Sequence, residues 1–314
     1  MKRQILAAAS LVTLGLMAGC GGSSPATTAT PTAVSGKVAD GYLVNATVFL
    51  DKNKNYQLDP GEPSTMTDQT GSYTLDIAPE DVGKYPIVAM AIKDQTTDMD
   101  NPGQKVANTY LLSLPAQSVS GTASSFVSPM STLIREKMEA NPGMSLTDAM
   151  AQLRSQMNLP AGTNMMADYV SLSSASSSDP NKPDYQLMHT TAQNMATLMG
   201  GQSALVTGTS GGTTTVDVNR FRTMMGSLND QLPQMVAAMS GGTQQGQTMM
   251  NLISADIGTQ VSSVAPTVAG MPFRNMSSLF PPMSGTTFRN MTGNPIQSMM
   301  GGTAGSATGG MMGR

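Results

Sequence analysis

The hydrophobic pattern of this chain changes period part-way along, and that change limits the folds open to it more than any other feature. Over 34–115, apolar residues come in short alternating runs separated by turn residues, whereas from about Ser125 they recur at helical spacing. The expectation is an α+β chain: a small antiparallel β-sandwich over 34–115, then a mostly helical, methionine-rich region over 125–265. Strands are expected over 34–38, 46–50, 73–77, 85–92 and 107–112. The turn signal Asp68-Gln69-Thr70-Gly71 predicts a hairpin over 64–77.

Ahead of the strands lies an export pattern: Lys2 and Arg3, an apolar stretch from Ile5 to Met17, then small residues. That stretch is too short for a comfortable membrane span. Leu16-Met17-Ala18-Gly19-Cys20 resembles the lipobox of bacterial lipoproteins, with Met17 where Leu, Val or Ile is commoner. The resemblance implies a signal peptide over 1–19, cleavage before Cys20, and diacylglycerol and palmitate on the new N-terminal cysteine. The other reading is an ordinary secretory signal with an incidental cysteine. Cys20 is the only cysteine, so no intramolecular disulfide can form. Several acyl chains anchor stably where one does not. The Gly, Ser, Thr, Ala and Pro of 20–33 cannot bury a core and read as a flexible spacer. Gly21, rather than the aspartate associated with inner-membrane retention, points to an outer-membrane lipoprotein, facing the periplasm or the surface.

Charge narrows the partners. The formal net charge is −3, and without Lys2 and Arg3 there remain 15 basic against 20 acidic side chains, or −5. With no basic run, nucleic acid is excluded as an expected partner, which leaves the membrane through the lipid and an envelope or extracellular protein or polysaccharide.

Residues 36–51 (GKVADGYLVNATVFLD), the Asp/Asn-rich stretch to Glu62, and Thr67-Asp68-Gln69-Thr70-Gly71-Ser72-Tyr73 resemble the transthyretin-like modules called carboxypeptidase-regulatory-like or SdrD B-like. These recur as stalks on bacterial surface proteins, and the resemblance implies a seven-stranded sandwich with no catalytic activity of its own. Within this stretch, Asp51, Asn53, Asn55 and Asp59 place oxygen ligands at positions 1, 3, 5 and 9. Gln57 offers a backbone carbonyl at 7 and Glu62 a bidentate carboxylate at 12. That spacing wraps a hard cation, and the ion expected is a structural calcium. Against it, Tyr56 stands where an EF-hand loop needs glycine, and the flanks read as strands, so a solvated polar turn is the alternative. The carboxylates Asp94, Asp98 and Asp100 read first as a solvated connection and second as a weaker ion site.

Ser128-Pro129 is a cap followed by proline in the first turn, and Phe126-Val127-Ser128-Pro129-Met130-Ser131-Thr132-Leu133-Ile134 resembles the helix start that follows such β-modules in many bacterial surface proteins. Further helices are expected over 145–159, 184–199, 216–239 around Pro233, and 247–264, with loops over 171–183 and 200–215. Methionines such as Met188, Met195 and Met199 fall on apolar stripes, where a flexible thioether fills a core short of aromatics. The tail, 270–314, is rich in Gly, Met, Ser, Thr and Pro and is expected to be disordered, with Phe273-Arg274-Asn275-Met276 recurring at Phe288-Arg289-Asn290-Met291. Its Met299, Met300, Met311 and Met312 have no core to fill there, and thioethers suit Cu(I), so a periplasmic copper-handling protein is the alternative to a low-complexity tail.

No enzyme is expected. His189, the sole histidine, reads as an ordinary helix residue, and Gly208-Thr209-Ser210-Gly211-Gly212 lacks the strand-to-helix context of a serine nucleophile. The function expected is a non-enzymatic, lipid-anchored cell-envelope protein in adhesion, envelope structure or assembly.

Overall fold

The computed structural model describes residues 30–266 apart from 175, 211, 241 and 242. The chain is mixed α+β, β-rich first and then helical. Nine strands lead: β1 (Thr32–Val38), β2 (Leu43–Val44), β3 (Thr47–Leu50), β4 (Ser64–Met66), β5 (Ser72–Ile77), β6 (Ile87–Ala91), β7 (Thr97–Asp98), β8 (Tyr110–Leu114) and β9 (Ser125–Val127). The helices α1 (Pro129–Ala140), α2 (Leu146–Gln156), α3 (Tyr169–Ser173), α4 (Lys182–Gly201) and α5 (Ser203–Val206) follow. A hairpin of β10 (Thr207–Ser210) and β11 (Thr213–Val216) precedes α6 (Val218–Ser240) and α7 (Thr243–Ser263).

Two sheets organise the β-rich part. One runs β5-β1-β9, with β1 antiparallel to β5 and parallel to β9; the other is antiparallel and runs β4-β3-β6-β8. In β1 and β5 the alternation of the sequence is the alternation of burial: Val34, Val38, Tyr73, Leu75 and Ile77 face the core. Gly36 is required by a close approach, since a Cβ there would fall 2.2 Å from the Ser125 carbonyl oxygen and 2.8 Å from the Tyr73 hydroxyl. β6 and β8 are instead apolar at nearly every position and buried throughout, as strands covered on both faces must be.

The expected hairpin over 64–77 does not form. β4 pairs with β3, and β5 pairs with β1 in the other sheet, so the Asp68 turn carries the chain between sheets. Thr67 anchors this corner: its hydroxyl donates to the Leu43 carbonyl and accepts from the Ala46 amide. The stretch 200–215, expected to be loop, carries β10 and the start of β11, because its threonines are β-branched and pair across the strands.

Helix α1 closes the free edge of β8. Ser128 caps it, accepting from the Ser131 amide while the Ser131 hydroxyl accepts from the Ser128 amide. Ser131 also donates to the Ser113 carbonyl at 2.6 Å, and Thr132 accepts from the Ser113 amide at 2.8 Å. The first turn of α1 thus satisfies an edge that would otherwise be open to pairing. Beyond it a single contiguous apolar core runs from Val34 to Val261, and Met188, Met195 and Met199 are buried within it. Among the described residues no helix is long and apolar enough to cross a membrane.

Candidate functional site

The loop between β3 and β4 carries Asp51, Asn53, Asn55, Gln57, Asp59 and Glu62. Asp51 is fully buried; its Oδ1 accepts from the Asn55 amide (3.0 Å) and its Oδ2 from the Tyr56 amide (3.3 Å). Asn53 and Asn55 both donate to Asp59 Oδ2 at 2.7 Å, while their own oxygens accept from the Asn55 and Gln57 amides. Glu62 accepts from the Lys52 amide through Oε1 and from the Asp59 amide through Oε2. Positions 3, 5 and 9 therefore converge on one point, with the backbone coiled around them.

The left-handed turn forms at Tyr56 although it stands where an EF-hand loop needs glycine, and Lys54 takes φ +60° in the same loop. Tyr56 takes φ +62° without being glycine, and its ring is buried between helices, 4.6 Å from the Phe221 ring, with its hydroxyl donating to Glu136. The Arg135 guanidinium lies over that ring at 4.1 Å and bonds Asp51 Oδ2 at 3.2 Å, with the two side chains 1% and 0% exposed. Burial pushes the Asp51 carboxyl up, against the pull of Arg135. As arranged, the loop only partly fits a divalent ion. Asn53 and Asn55 turn their NH2 groups to Asp59 while their oxygens, like those of Glu62, accept from backbone amides, and Asp51 already has a cation in Arg135. Among the described residues no group of three or more His, Cys, Asp or Glu side chains is placed to hold a metal.

A second polar centre joins the β-rich part to α4. Asp40 is buried at 4% exposure; its Oδ2 accepts from the Tyr110 hydroxyl at 2.9 Å, and its Oδ1 has no partner from another residue. Burial first, and then the neighbouring charge of Asp98, raise its pKa well above the ordinary carboxylate range. Gly41 permits the crowding, since a Cβ there would lie 2.2 Å from Asp98 Oδ1 and 2.6 Å from Asp100 Oδ2. Asp100 Oδ2 accepts from His189 Nε2 (2.8 Å) and Gln193 (2.6 Å), and the His189 bond is the main cause that holds its pKa low. Asp40, Asp98, Tyr110 and Gln193 line a cavity of about 410 Å³. Compared with protein-family models, characterised proteins and solved structures, the chain matches none.

The site therefore rests on its own geometry. His189 is more than a surface helix residue, because Asp100 and Ser173 flank its ring. The Ser173 hydroxyl lies 3.3 Å from Nδ1 and donates to the Val170 carbonyl, while Asp100 Oδ2 lies 2.8 Å from Nε2. Ser210 sits exposed beside the tip of the β10–β11 hairpin. Arg135, Glu136 and Glu139 went unread in the sequence, although an arginine between Ile134 and two glutamates, on a helix whose first half is largely apolar, is a signal of buried pairing. Cys20 and Met299, Met300, Met311 and Met312 lie outside the described residues.

Proposed function

We propose that this chain is a non-enzymatic, lipid-anchored cell-envelope protein that holds a rigid body at the membrane for adhesion, envelope structure or assembly. Its β-rich part is read as a small transthyretin-like sandwich built from the two sheets. The observation that carries the reading is the position of β1. The strand that follows the spacer is the middle one of its sheet, paired along six residues with β5 and along three with β9. Tension from an anchor at Cys20 would load both ladders along their length, so several hydrogen bonds must break together before the strand slides.

Cell fractionation with protease shaving tests the proposal. The wild type is expected in the membrane fraction and the Cys20→Ala variant in the soluble one; equal partition of the two would sink it. Surface exposure favours adhesion or assembly. A shielded periplasmic protein whose copper binding vanishes when Met299, Met300, Met311 and Met312 are replaced would favour the copper-handling alternative.

A structural calcium belongs to the same proposal, with Asp51, Asn53, Asn55, Gln57, Asp59 and Glu62 as the ligand set and the oxygens of Asn53 and Asn55 turning toward Asp59 to receive it. Calcium is expected to raise the unfolding temperature over chelator in the wild type and not in Asp59→Ala. Asp51→Ala is the wrong control, because it also strips Arg135 of its buried partner. No calcium-dependent shift in the wild type would leave Arg135 as the cation that meets Asp51.

A further inference from the structure

Beside the Asp51 loop lies a cavity of about 510 Å³ whose polar lining is dominated by positive charge: Lys54, Lys84, Arg135 and Arg222 against Glu139, with the Gln117 amide at its wall. The cations come from separate parts of the chain, namely the loop after β3, the turn before β6, α1 and α6. Glu139 compensates the two arginines, its Oε1 accepting from Arg135 at 3.0 Å and its Oε2 from Arg222 at 2.8 Å, so the charge left open to a ligand is that of the lysines. Lys54 and Lys84 are exposed and make no ion pair among the described residues.

Arg135 supplies the independent sign of a ligand. Its Nε is spent on Glu139, its Nη2 on Asp51, and its face on Tyr56. Its Nη1 is buried, lacks any acceptor, and belongs to a side chain that lines the cavity. A guanidinium cannot shed its proton to relieve an unmet donor, so the group calls for an acceptor, and two free ammonium groups nearby call for a negative one.

We infer that this cavity binds the phosphate group of a small phosphorylated molecule, with Arg135 Nη1 donating from the floor and Lys54 and Lys84 closing on it from the rim. A phosphate oxygen satisfies the buried donor, and the remaining oxygens present the concentrated charge that mobile lysines meet well. The volume exceeds that of the anion alone and leaves room for an attached group the size of a sugar. The site is independent of the anchoring proposal, since it requires only the described residues.

Titration calorimetry on the purified full-length protein in detergent, with inorganic phosphate and glucose 1-phosphate as probes, tests the site. Saturable binding is expected for both; tighter binding of the sugar phosphate identifies a phosphorylated glycan as the source, and equal binding identifies free phosphate. Arg135→Lys removes the central donor but endangers folding, so the rim variants decide. Lys54→Asn keeps a residue that tolerates the φ of +60° found there, and Lys84→Gln is exposed. Each should weaken binding about threefold, and the pair about tenfold, with the unfolding temperature unchanged. No saturable binding by the wild type, full affinity in the double variant, or equal binding of sulfate and chloride at matched ionic strength would overturn the site.

Discussion

Tyr56 shows how one residue can carry a cost that its neighbours offset. A left-handed backbone costs a non-glycine residue on the order of 1 kcal/mol, and burying an aromatic ring against Phe221 and Arg135 recovers more than that. Asp40 is a cost left standing. It faces Asp98 and Asp100 from the turn around β7, Tyr110 from β8 and Tyr169 from α3; His189 on α4 acts on Asp98, and Lys105 shares the cavity. Its pKa is raised in the fold, so the fold favours the protonated form. The stability this brings is complete below the unfolded pKa of about 3.9 and is lost as pH rises through the higher folded value. Asp40→Asn, which imitates the neutral carboxyl, is therefore expected to match the wild type at about pH 3.5. At pH 8, where the buried wild-type carboxyl is disfavoured as an anion, it should be the more stable of the two. Asp100 runs the other way: its low pKa, set by His189, makes its contribution one that is present above the unfolded value and lost in acid. Comparing the two proteins at each pH cancels that background. Urea titrations showing a constant gap between them would refute the assignment.

Helix α6 runs through Pro233, which has no amide proton to give to the carbonyl of Asn229 one turn earlier. That carbonyl accepts instead from the Gln156 side chain on α2, at 3.2 Å. A break internal to one helix thus becomes a tie to another. Gln156→Ala should cost about 1 kcal/mol in the wild type. It should cost much less in Pro233→Ala, where residue 233 regains an amide for Asn229, and additive effects in that double-mutant cycle would show the tie to be idle. Elements of this kind were legible where the sequence pattern is long. The stripes of α2, α4 and α6 and the Ser128 cap of α1 all follow from spacing and local hydrogen-bond chemistry. Pairing was less so. The Asp68 turn has the chemistry of a hairpin whether the next strand returns to the same sheet or crosses to the other, and the partner of β5 is β1, more than thirty residues upstream, which turn chemistry does not encode. In β10 and β11 the glycine and serine masked threonines that favour a strand.

At the scale of the whole molecule, the β-rich and helical parts are joined by side chains far apart in sequence. Arg135 meets Asp51 across 84 positions, His189 meets Asp100 across 89, Tyr42 meets Asp168 across 126, and the Tyr169 hydroxyl reaches the Ala39 carbonyl across 130. No local pattern encodes such pairs, which is why the ligand spacing of the Asp51 loop was visible in the sequence and the cation beside Asp51 was not. The same pairs have a thermodynamic consequence. β9, which completes the sheet around β1, lies immediately before α1, and α1 in turn covers the edge of β8. Separating the strands from the helices would expose the buried Asp51–Arg135 pair, the Tyr56 ring and the apolar faces of β6 and β8 together. Thermal unfolding is therefore expected to be one transition, with helix-weighted circular dichroism and the fluorescence of a Tyr169→Phe, Tyr185→Phe variant, whose tyrosines all lie in the β-rich part, giving the same midpoint. A fragment of residues 30–124, lacking β9 and α1, should remain unfolded, because β1 loses a neighbour and Asp51 loses its only buried cation. Two midpoints in the intact protein, or a cooperative melt from the fragment, would show that the β-rich part stands by itself and that these long-range pairs only decorate it.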